Sequence, residues 1–309
     1  MQRREWLMSA GAIMASSVLW PRPAEAQPSK GTKPATLDRI AIMTLNFQRL
    51  LKVPDAPAAA DRTLELFEIG QMIADTYGVH KVEFQHYHLA STEPSYLKEL
   101  KRQLAKSRSR ATQINLEFAG LNISAATQRD RMLAIDLTRT WIDHAVLLGA
   151  QRVMINQGLP TQENKTTSIP ALKAMSNYGR SKGIIVSVET RQVFTGQRGA
   201  ASATPPPPPV PSPEVWALLV EIVKRAGAYS NVDVGGAGAA NQEELHECLR
   251  LFYPLNAGTM HTRVNQRWDL GAAIRFMERD LKYRGLYTIE AANGHEGTRE
   301  IYDVVVATV

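Results

Sequence analysis

The sequence predicts an α/β protein of the (β/α)8 TIM-barrel class, folded as a single domain. Short runs rich in Val, Ile and Leu alternate with longer segments of helical periodicity, and this alternation occurs eight times. Eight such units in about 270 residues match the size of a closed barrel, whose strands are parallel and joined by right-handed crossovers. In addition, the last four strands each end in Glu, Asp or His.

The first four units each combine a short apolar strand with a helix that has one apolar face. In the first helix Leu64, Phe67 and Ile73 lie on one face, and Gly149 ends the third helix. The predicted strands are 39–44, 80–85, 113–118 and 152–156, and the predicted helices are 59–77, 94–107, 126–148 and 169–181.

The last four units begin with the most regular strand, in which Ile184, Ile185, Val186 and Val188 precede a carboxylate. The predicted strands are 184–189, 229–233, 257–261 and 286–290, and the predicted helices are 213–225, 242–252, 270–281 and 297–306. A doubly wound open sheet is the alternative arrangement. It lacks its best sequence sign, because no G-x-G-x-x-G motif follows the first strand.

The first 26 residues predict an export signal peptide rather than part of the barrel. Arg3 and Arg4 precede an apolar run that extends to Trp20, and small residues lead to a cleavage position after Ala26. The run is too short to span a membrane, and the paired arginines resemble a twin-arginine signal, although a general secretory signal is the alternative. Residues 27–37 are a predicted linker before a barrel domain at 38–309, and the expected location is the periplasm.

One connection is unusually long for a barrel. Residues 190–212 follow the fifth strand and contain the run Pro205–Pro209, which cannot continue a helix or a strand ladder. In a barrel this βα loop lies over the active-site mouth. A lid, an arm that contacts a partner, and an insertion without a role all remain open.

Charge and cysteine content exclude some classes of protein. The net charge of +6 is spread along the chain without a run of five basic residues, so nucleic-acid binding is not expected. Cys248 is the single cysteine, which excludes an internal disulfide and is typical of a small buried side chain.

Four polar residues at the ends of neighbouring strands predict a metal site. Glu189, Asp233, His261 and Glu290 close the last four predicted strands, and the carboxyl ends of barrel strands open on one face. Three carboxylates brought this close repel one another unless a cation lies between them. Oxygen ligands with one imidazole suit Mn²⁺ best, with Mg²⁺, Co²⁺ and Zn²⁺ as alternatives.

These strand ends also resemble a known family. The segments that carry the likeness are 148–153 with 157–158, 183–189, 232–235, 260–263 and 287–290. They are similar to the xylose isomerase-like TIM-barrel superfamily, and within it to the sugar phosphate isomerase/epimerase group. The resemblance extends from about Arg39 onward and implies a divalent metal held by the four strand-end residues, with Glu189 and Glu290 as the acid/base pair.

The resemblance also implies substrate contacts. Arg267 lies six residues after the metal histidine, as in the ketose 3-epimerases, and Arg263 matches a basic residue two positions after it. The chain departs from those epimerases at Gly236, where they often have a histidine. Position on the same face predicts further substrate-binding residues, namely His86, His88, Asn46 and Arg191.

The predicted function is that of a metal-dependent sugar isomerase or epimerase. A carboxylate removes the proton next to a carbonyl and leaves an enediolate. Return of a proton to the enediolate then gives epimerisation or isomerisation. A lyase or dehydratase acting on keto-sugars or 3-keto-glycosides is the alternative enzyme, and a non-catalytic sugar-binding barrel is the alternative from another class. An endonuclease IV-like enzyme would need more strand-end histidines. The expected partner is a small carbohydrate. Stable membrane insertion of the protein is not expected after signal cleavage, and homo-oligomer formation stays open.

Overall fold

Eight parallel strands close into a barrel in the computed structural model, in the order β1 to β8 around the ring. The structure describes residues 33–53, 59–118, 121–155, 161–190 and 212–309. The closed ring of parallel strands confirms the predicted TIM-barrel class. The strands are β1 Ile40–Met43, β2 Lys81–Gln85, β3 Arg110–Leu116, β4 Arg152–Ile155, β5 Ile185–Glu189, β6 Tyr229–Asp233, β7 Asn256–Thr262 and β8 Leu286–Ile289.

Helices follow the strands and form the outer layer. A short helix, α1, lies within the part of the predicted linker that the structure describes. The helices are α1 Pro34–Leu37, α2 Ile69–Tyr77, α3 Pro94–Lys106, α4 Gln128–Leu148, α5 Lys165–Ser181, α6 Ser212–Ala226, α7 Gln242–Phe252, α8 Leu270–Arg279 and α9 Gly294–Thr308. Within the described segments, no helix is both long and apolar enough to cross a membrane. The predicted signal peptide and the proline-rich loop at 191–211 lie outside those segments.

Most elements differ from the sequence prediction in their boundaries, and α2, β3 and α5 are examples. Helix α2 begins ten residues later than predicted, because Leu64 pairs with Leu51 in an isolated bridge and Glu65 forms a capping box with Glu68. Strand β3 begins and ends earlier than predicted, in register with β2. Helix α5 begins at Lys165, so that Pro170 lies inside it rather than in its first turn.

The hydrophobic core lies between the strands and the helices, and the barrel interior is polar. Val82 and Phe84 of β2 belong to the core, whereas Glu83 between them contacts His261 on the far side of the barrel. Alternate residues of a strand point to opposite faces, and interior positions of β3, β5 and β6 are polar as well, whereas Met43 of β1 and Met154 of β4 are apolar. The buried polar set includes Glu83, Gln113, Asn115, Ser187, Glu189, Asn231, Asp233, Thr259, His261 and Thr288.

The amino-terminal ends of the strands, here called the floor, carry a compact ionic network. The guanidinium of Arg39 donates two hydrogen bonds to the carboxylate of Glu278, at 2.9 and 2.7 Å, and the hydroxyl of Tyr287 donates a third at 2.6 Å. The same guanidinium lies 5.3 Å from the centre of the Tyr287 ring. Bidentate pairing and ring stacking stabilise this end of the barrel. The carboxyl ends of the strands are here called the mouth.

Candidate active site

The four predicted metal ligands lie together at the mouth. Glu189 and Asp233 are the last residues of β5 and β6, His261 is the penultimate residue of β7, and Glu290 directly follows β8. All four side chains are buried, with exposed fractions between 1% and 6%. The strands therefore bring these four buried residues to the same end of the barrel, as the parallel arrangement requires.

The imidazole of His261 lies between two carboxylates. Its Nδ1 atom is 3.0 Å from Oε1 of Glu189 and 3.2 Å from Oε2 of Glu290. Each of these three residues offers one ligand atom, and the three atoms lie within 4.8 Å of one another. This spacing is close enough for a single cation to contact all three.

Asp233 is linked to this group through Arg263. The Nη1 atom of Arg263 lies 3.0 Å from Oε1 of Glu290 and 3.5 Å from Oδ2 of Asp233. The negative charge of Asp233 is the main cause that raises the pKa of the Arg263 guanidinium. Arg263 was predicted to contact substrate, and the structure shows it between two of the predicted metal ligands.

Two consecutive glycines make room for this arrangement. A Cβ atom at Gly235 would lie 2.4 Å from Cβ of Arg263, and one at Gly236 would lie 2.0 Å from Oδ2 of Asp233. Both distances are shorter than any side chain allows. The glycine at 236, where the epimerases often have histidine, is therefore needed for the position that Asp233 adopts here.

Burial and like charges perturb the carboxylates. Burial, and after it the charge of Glu290, raises the pKa of Asp233 to about 7. Burial alone would also raise the pKa of Glu290, but the hydrogen bond and charge of His261 lower it overall. Burial opposes the protonated form of His261, yet the negative charge of Glu83 and the hydrogen bonds that His261 donates to the glutamates raise its pKa well above the usual value. A group of buried carboxylates around one imidazole is an anionic pocket.

The donor set fits a divalent cation. Oδ1 of Asp233 is buried and lacks a hydrogen-bond partner among the described residues. Buried carboxylate oxygens without a partner are costly unless a cation satisfies them. Carboxylates with one imidazole nitrogen suit Mn²⁺ and similar ions.

Sequence reasoning missed one residue of this centre. Glu83, in the middle of β2, accepts a hydrogen bond from Nε2 of His261 at 2.6 Å. Amides of Gln113 and Asn115 donate to the same carboxylate oxygen. The sequence signal for Glu83 is a carboxylate in the middle of a strand whose outward-facing residues are apolar. The sequence prediction considered only the residues that end a strand, so it did not include Glu83.

Two predicted substrate-binding histidines line a cavity of about 740 Å³ beside β2. His88 bonds through Nδ1 to the hydroxyl of Thr44 at 2.8 Å, and its buried Nε2 has no partner among the described residues. In His86, Nδ1 accepts from the backbone N–H of Glu117. Burial lowers the pKa of His86 to about 4 and that of His88 to about 3, so both rings are neutral at physiological pH.

The other predicted contacts lie in different places. Arg267 is exposed and lines a second cavity of about 800 Å³ with the glycines after β6. The side chain of Asn46 donates to the backbone oxygen of Ile289 and the hydroxyl of Thr298, and accepts from the N–H of Ala291. This arrangement favours a structural role for Asn46 in holding the segment after Glu290. Arg191 lies outside the described residues.

Comparisons with known proteins agree on the fold. Residues 78–188 match a domain of unknown function, DUF8564. No curated protein sequence matches the chain. Among solved structures, a xylose isomerase domain protein from Planctomyces limnophilus is 13% identical, with a TM-score of 0.62 over 88% of this chain and 96% of that one.

Two sugar-epimerase structures are similar to the same extent. A D-tagatose 3-epimerase-like protein is 16% identical, with a TM-score of 0.63 over 87% of this chain and 97% of its own. The 3-keto-D-glucoside 4-epimerase from E. coli is 11% identical, with a TM-score of 0.60 over 88% of this chain and 100% of its own. At these identities the comparison establishes the shared barrel.

Proposed function

We propose that this protein is a divalent-metal-dependent sugar isomerase or epimerase that removes a proton next to a carbonyl. The observation that carries the proposal is the cluster of Glu189, His261 and Glu290, whose ligand atoms lie within 4.8 Å of one another in a buried pocket at the mouth. Isolated carboxylates at this depth would be unstable without a counter-charge. Their presence in register on adjacent strands is typical of a site built for a cation.

The metal site is formed by Glu189, Asp233, His261 and Glu290 in this proposal. A bound divalent ion, Mn²⁺ in the first instance and Mg²⁺, Co²⁺ or Zn²⁺ as alternatives, supplies Lewis-acid polarisation of the substrate carbonyl. The remaining chemistry belongs to the chain itself.

Glu189 and Glu290 have the acid/base role. One carboxylate takes the proton from the carbon beside the carbonyl, and the other returns a proton to the resulting enediolate. Their burial excludes water, which would otherwise compete for the proton. Return to the opposite face gives an epimer, and return to the neighbouring carbon gives an isomer.

The cavity beside β2 supplies groups that orient the sugar. Because the hydroxyl of Thr44 accepts from the N–H of Gln85, it has its own proton to donate to Nδ1 of His88. Nε2 of His88 then carries a hydrogen that is free to bond a sugar hydroxyl. His86 lines the same cavity, and Arg267 contributes a positive charge on the opposite side of the mouth.

Likeness to a 3-keto-D-glucoside 4-epimerase and to a D-tagatose 3-epimerase-like protein supports a ketose or an oxidised glucoside as the substrate class. The predicted twin-arginine-type signal favours an unphosphorylated substrate in either class, since phosphosugars are scarce outside the cytoplasm. We therefore propose a periplasmic enzyme that acts on uncharged keto-sugars.

The test is incubation with Mn²⁺ and a panel of ketohexoses, aldohexoses and 3-keto-glucosides in D₂O. We expect deuterium at the carbon beside the carbonyl for at least one substrate, detected by mass spectrometry and NMR. The matched control is Glu290→Gln, which keeps the side-chain shape and removes the base.

Other outcomes of the same experiment would contradict the proposal. Metal-dependent loss of a β-substituent would indicate a lyase or dehydratase instead. Sugar binding by calorimetry that is independent of metal, with no exchange for any substrate, would indicate a non-catalytic binding barrel.

A further inference from the structure

Glu83 is held rigidly inside the barrel at a position with no assigned role in metal binding. It lies in the third position of β2, two residues before the strand ends, and its side chain has an exposed fraction of 0%. Three side chains donate to its Oε1 atom: Gln113 at 3.1 Å, Asn115 at 2.7 Å and His261 at 2.6 Å. A carboxylate with several buried donors is fixed in position and orientation.

The two amides that hold Glu83 also bond to each other. Nε2 of Gln113 donates to Oδ1 of Asn115 at 2.9 Å. Both residues come from β3, which pairs with β2 in register at this level. The position of the Glu83 oxygen is therefore set by the sheet itself rather than by a mobile loop.

The contact with Glu83 decides which nitrogen of His261 carries a proton. A carboxylate oxygen only accepts, so Nε2 of His261 must donate. Asn231 lies 2.9 Å from the same nitrogen, and its Oδ1 has no partner in the orientation described. Since amide oxygen and nitrogen are distinguished only by their hydrogen bonds, a donating Nε2 places the oxygen of Asn231 on this contact.

Because Nε2 donates its hydrogen to Glu83, Nδ1 is the ring nitrogen that remains available to bind a metal ion. This is the atom that faces Glu189 at 3.0 Å and Glu290 at 3.2 Å. A ring nitrogen can bind a metal only through a free lone pair, and a carboxylate on the other nitrogen both fixes the tautomer and makes the ligand nitrogen more basic.

We propose that Glu83 is a positioning residue that selects the metal-binding tautomer of His261 and sets the affinity of the site. This inference rests on the proposed function for the existence of the metal site. It adds a fifth residue to the centre, and this residue acts through His261 without touching metal or substrate.

The test compares Mn²⁺ affinity by isothermal titration calorimetry in the wild-type chain and in Glu83→Gln. We expect a loss of affinity of about 10- to 100-fold, the usual effect of removing a supporting carboxylate. The matched control is Glu278→Gln, the same substitution at a carboxylate on the floor that accepts four hydrogen bonds. We expect Mn²⁺ affinity in this control to stay within twofold of wild type even if stability falls, which separates positioning from general destabilisation.

The outcomes distinguish the two proposals. Wild-type affinity in folded Glu83→Gln would overturn the positioning role alone, whereas a wild-type chain that fails to bind Mn²⁺ would overturn the proposed function and this inference with it. If Glu83→Gln does not fold, Glu83→Asp takes its place, because it keeps the charge but withdraws the carboxylate by one methylene. A several-fold loss of affinity in Glu83→Asp supports the role, and affinity within twofold of wild type overturns it.

Discussion

The floor and the mouth of the barrel use the same kinds of residue in opposite ways. On the floor, the charges of Arg39 and Glu278 neutralise each other, and every oxygen of the carboxylate accepts a hydrogen bond. At the mouth, carboxylates crowd together, and the buried Oδ1 of Asp233 has no hydrogen-bond partner among the described residues. The floor is satisfied by the protein itself, whereas the mouth is built to be completed by something else.

This difference separates stability from function within one fold. Barrel enzymes place catalytic groups at the carboxyl ends of strands, and the opposite end contributes to stability. Local conflicts such as buried, unsatisfied charge are expected where a protein has a binding or catalytic task. Substitutions at the two ends should therefore affect different measurements.

The largest effect is expected at the mouth, for Glu290→Gln. Removing one of the two acid/base carboxylates should lower the rate of deuterium exchange by about 10²- to 10⁴-fold. The metal-free chain should also lose stability, because Glu290 is paired with Arg263 and its lowered pKa means that the folded chain favours the charged form. Exchange rates and thermal unfolding curves provide the measurements, and an unchanged exchange rate would remove Glu290 from the mechanism.

On the floor, Arg39→Met should have the converse effect. It leaves Glu278 without its bidentate partner and removes the stacking on Tyr287, so we expect the free energy of unfolding to fall by about 1–3 kcal/mol. Urea denaturation measures this loss, and titration with Mn²⁺ should give the wild-type affinity. A large change in metal affinity would show that the two ends are coupled.

A smaller and more local effect is expected from Gly236→Ala. The added methyl would occupy the position of Oδ2 of Asp233, so the carboxylate must move and Mn²⁺ affinity should fall by roughly tenfold, about 1.4 kcal/mol. The matched control is Gly183→Ala on the floor side, where φ is +72° and no atom lies within 4 Å of the new methyl. That control should lose about 1 kcal/mol of stability from backbone strain without a change in affinity. Equal affinities in both variants would contradict the steric explanation.

The last prediction concerns the pH dependence of stability. Burial lowers the pKa of His88 to about 3 and that of His86 to about 4, so the unfolded chain binds protons on these residues between about pH 6.5 and 4 and the folded chain does not. The contribution of these two histidines to stability is therefore complete above pH 6.5 and is lost as the pH falls, by up to roughly 1.4 kcal/mol per pH unit for each histidine.

Urea denaturation at several pH values tests this dependence in wild type and in His88→Gln. The variant should show a shallower loss of stability below pH 6.5. His246→Gln, on the partly exposed face of α7, is the control and should change the slope less. An identical slope in wild type and His88→Gln would contradict the assignment of His88 as a buried neutral ring.

The sequence predicted the eight-unit barrel and the strand-end residues because both depend on local patterns. Apolar strand residues such as Val186 and Val188 alternate with residues that face the barrel interior. The last residue of each strand can be identified from the sequence without knowledge of its neighbours in space. Boundaries were less accurate where tertiary contacts decide, as at Leu64, whose pairing with Leu51 prevents a longer helix.

The parts of the site that the sequence did not reveal depend on contacts across the barrel. Glu83 and His261 are 178 positions apart, and no spacing rule connects them. Likewise the pairing of Arg263 with two carboxylates follows from the close approach that Gly235 permits. Such relations become visible only when all eight strands are placed around one axis.

The guanidinium of Arg263 has a consequence for how the protein matures. Because it lies between Asp233 and Glu290, it supplies an internal counter-ion for both carboxylates. Under the proposed function, the chain would reach its native state before any ion arrives, and metal loading would be an exchange in which the guanidinium gives way to the ion. Folding and metal acquisition would then be separate events.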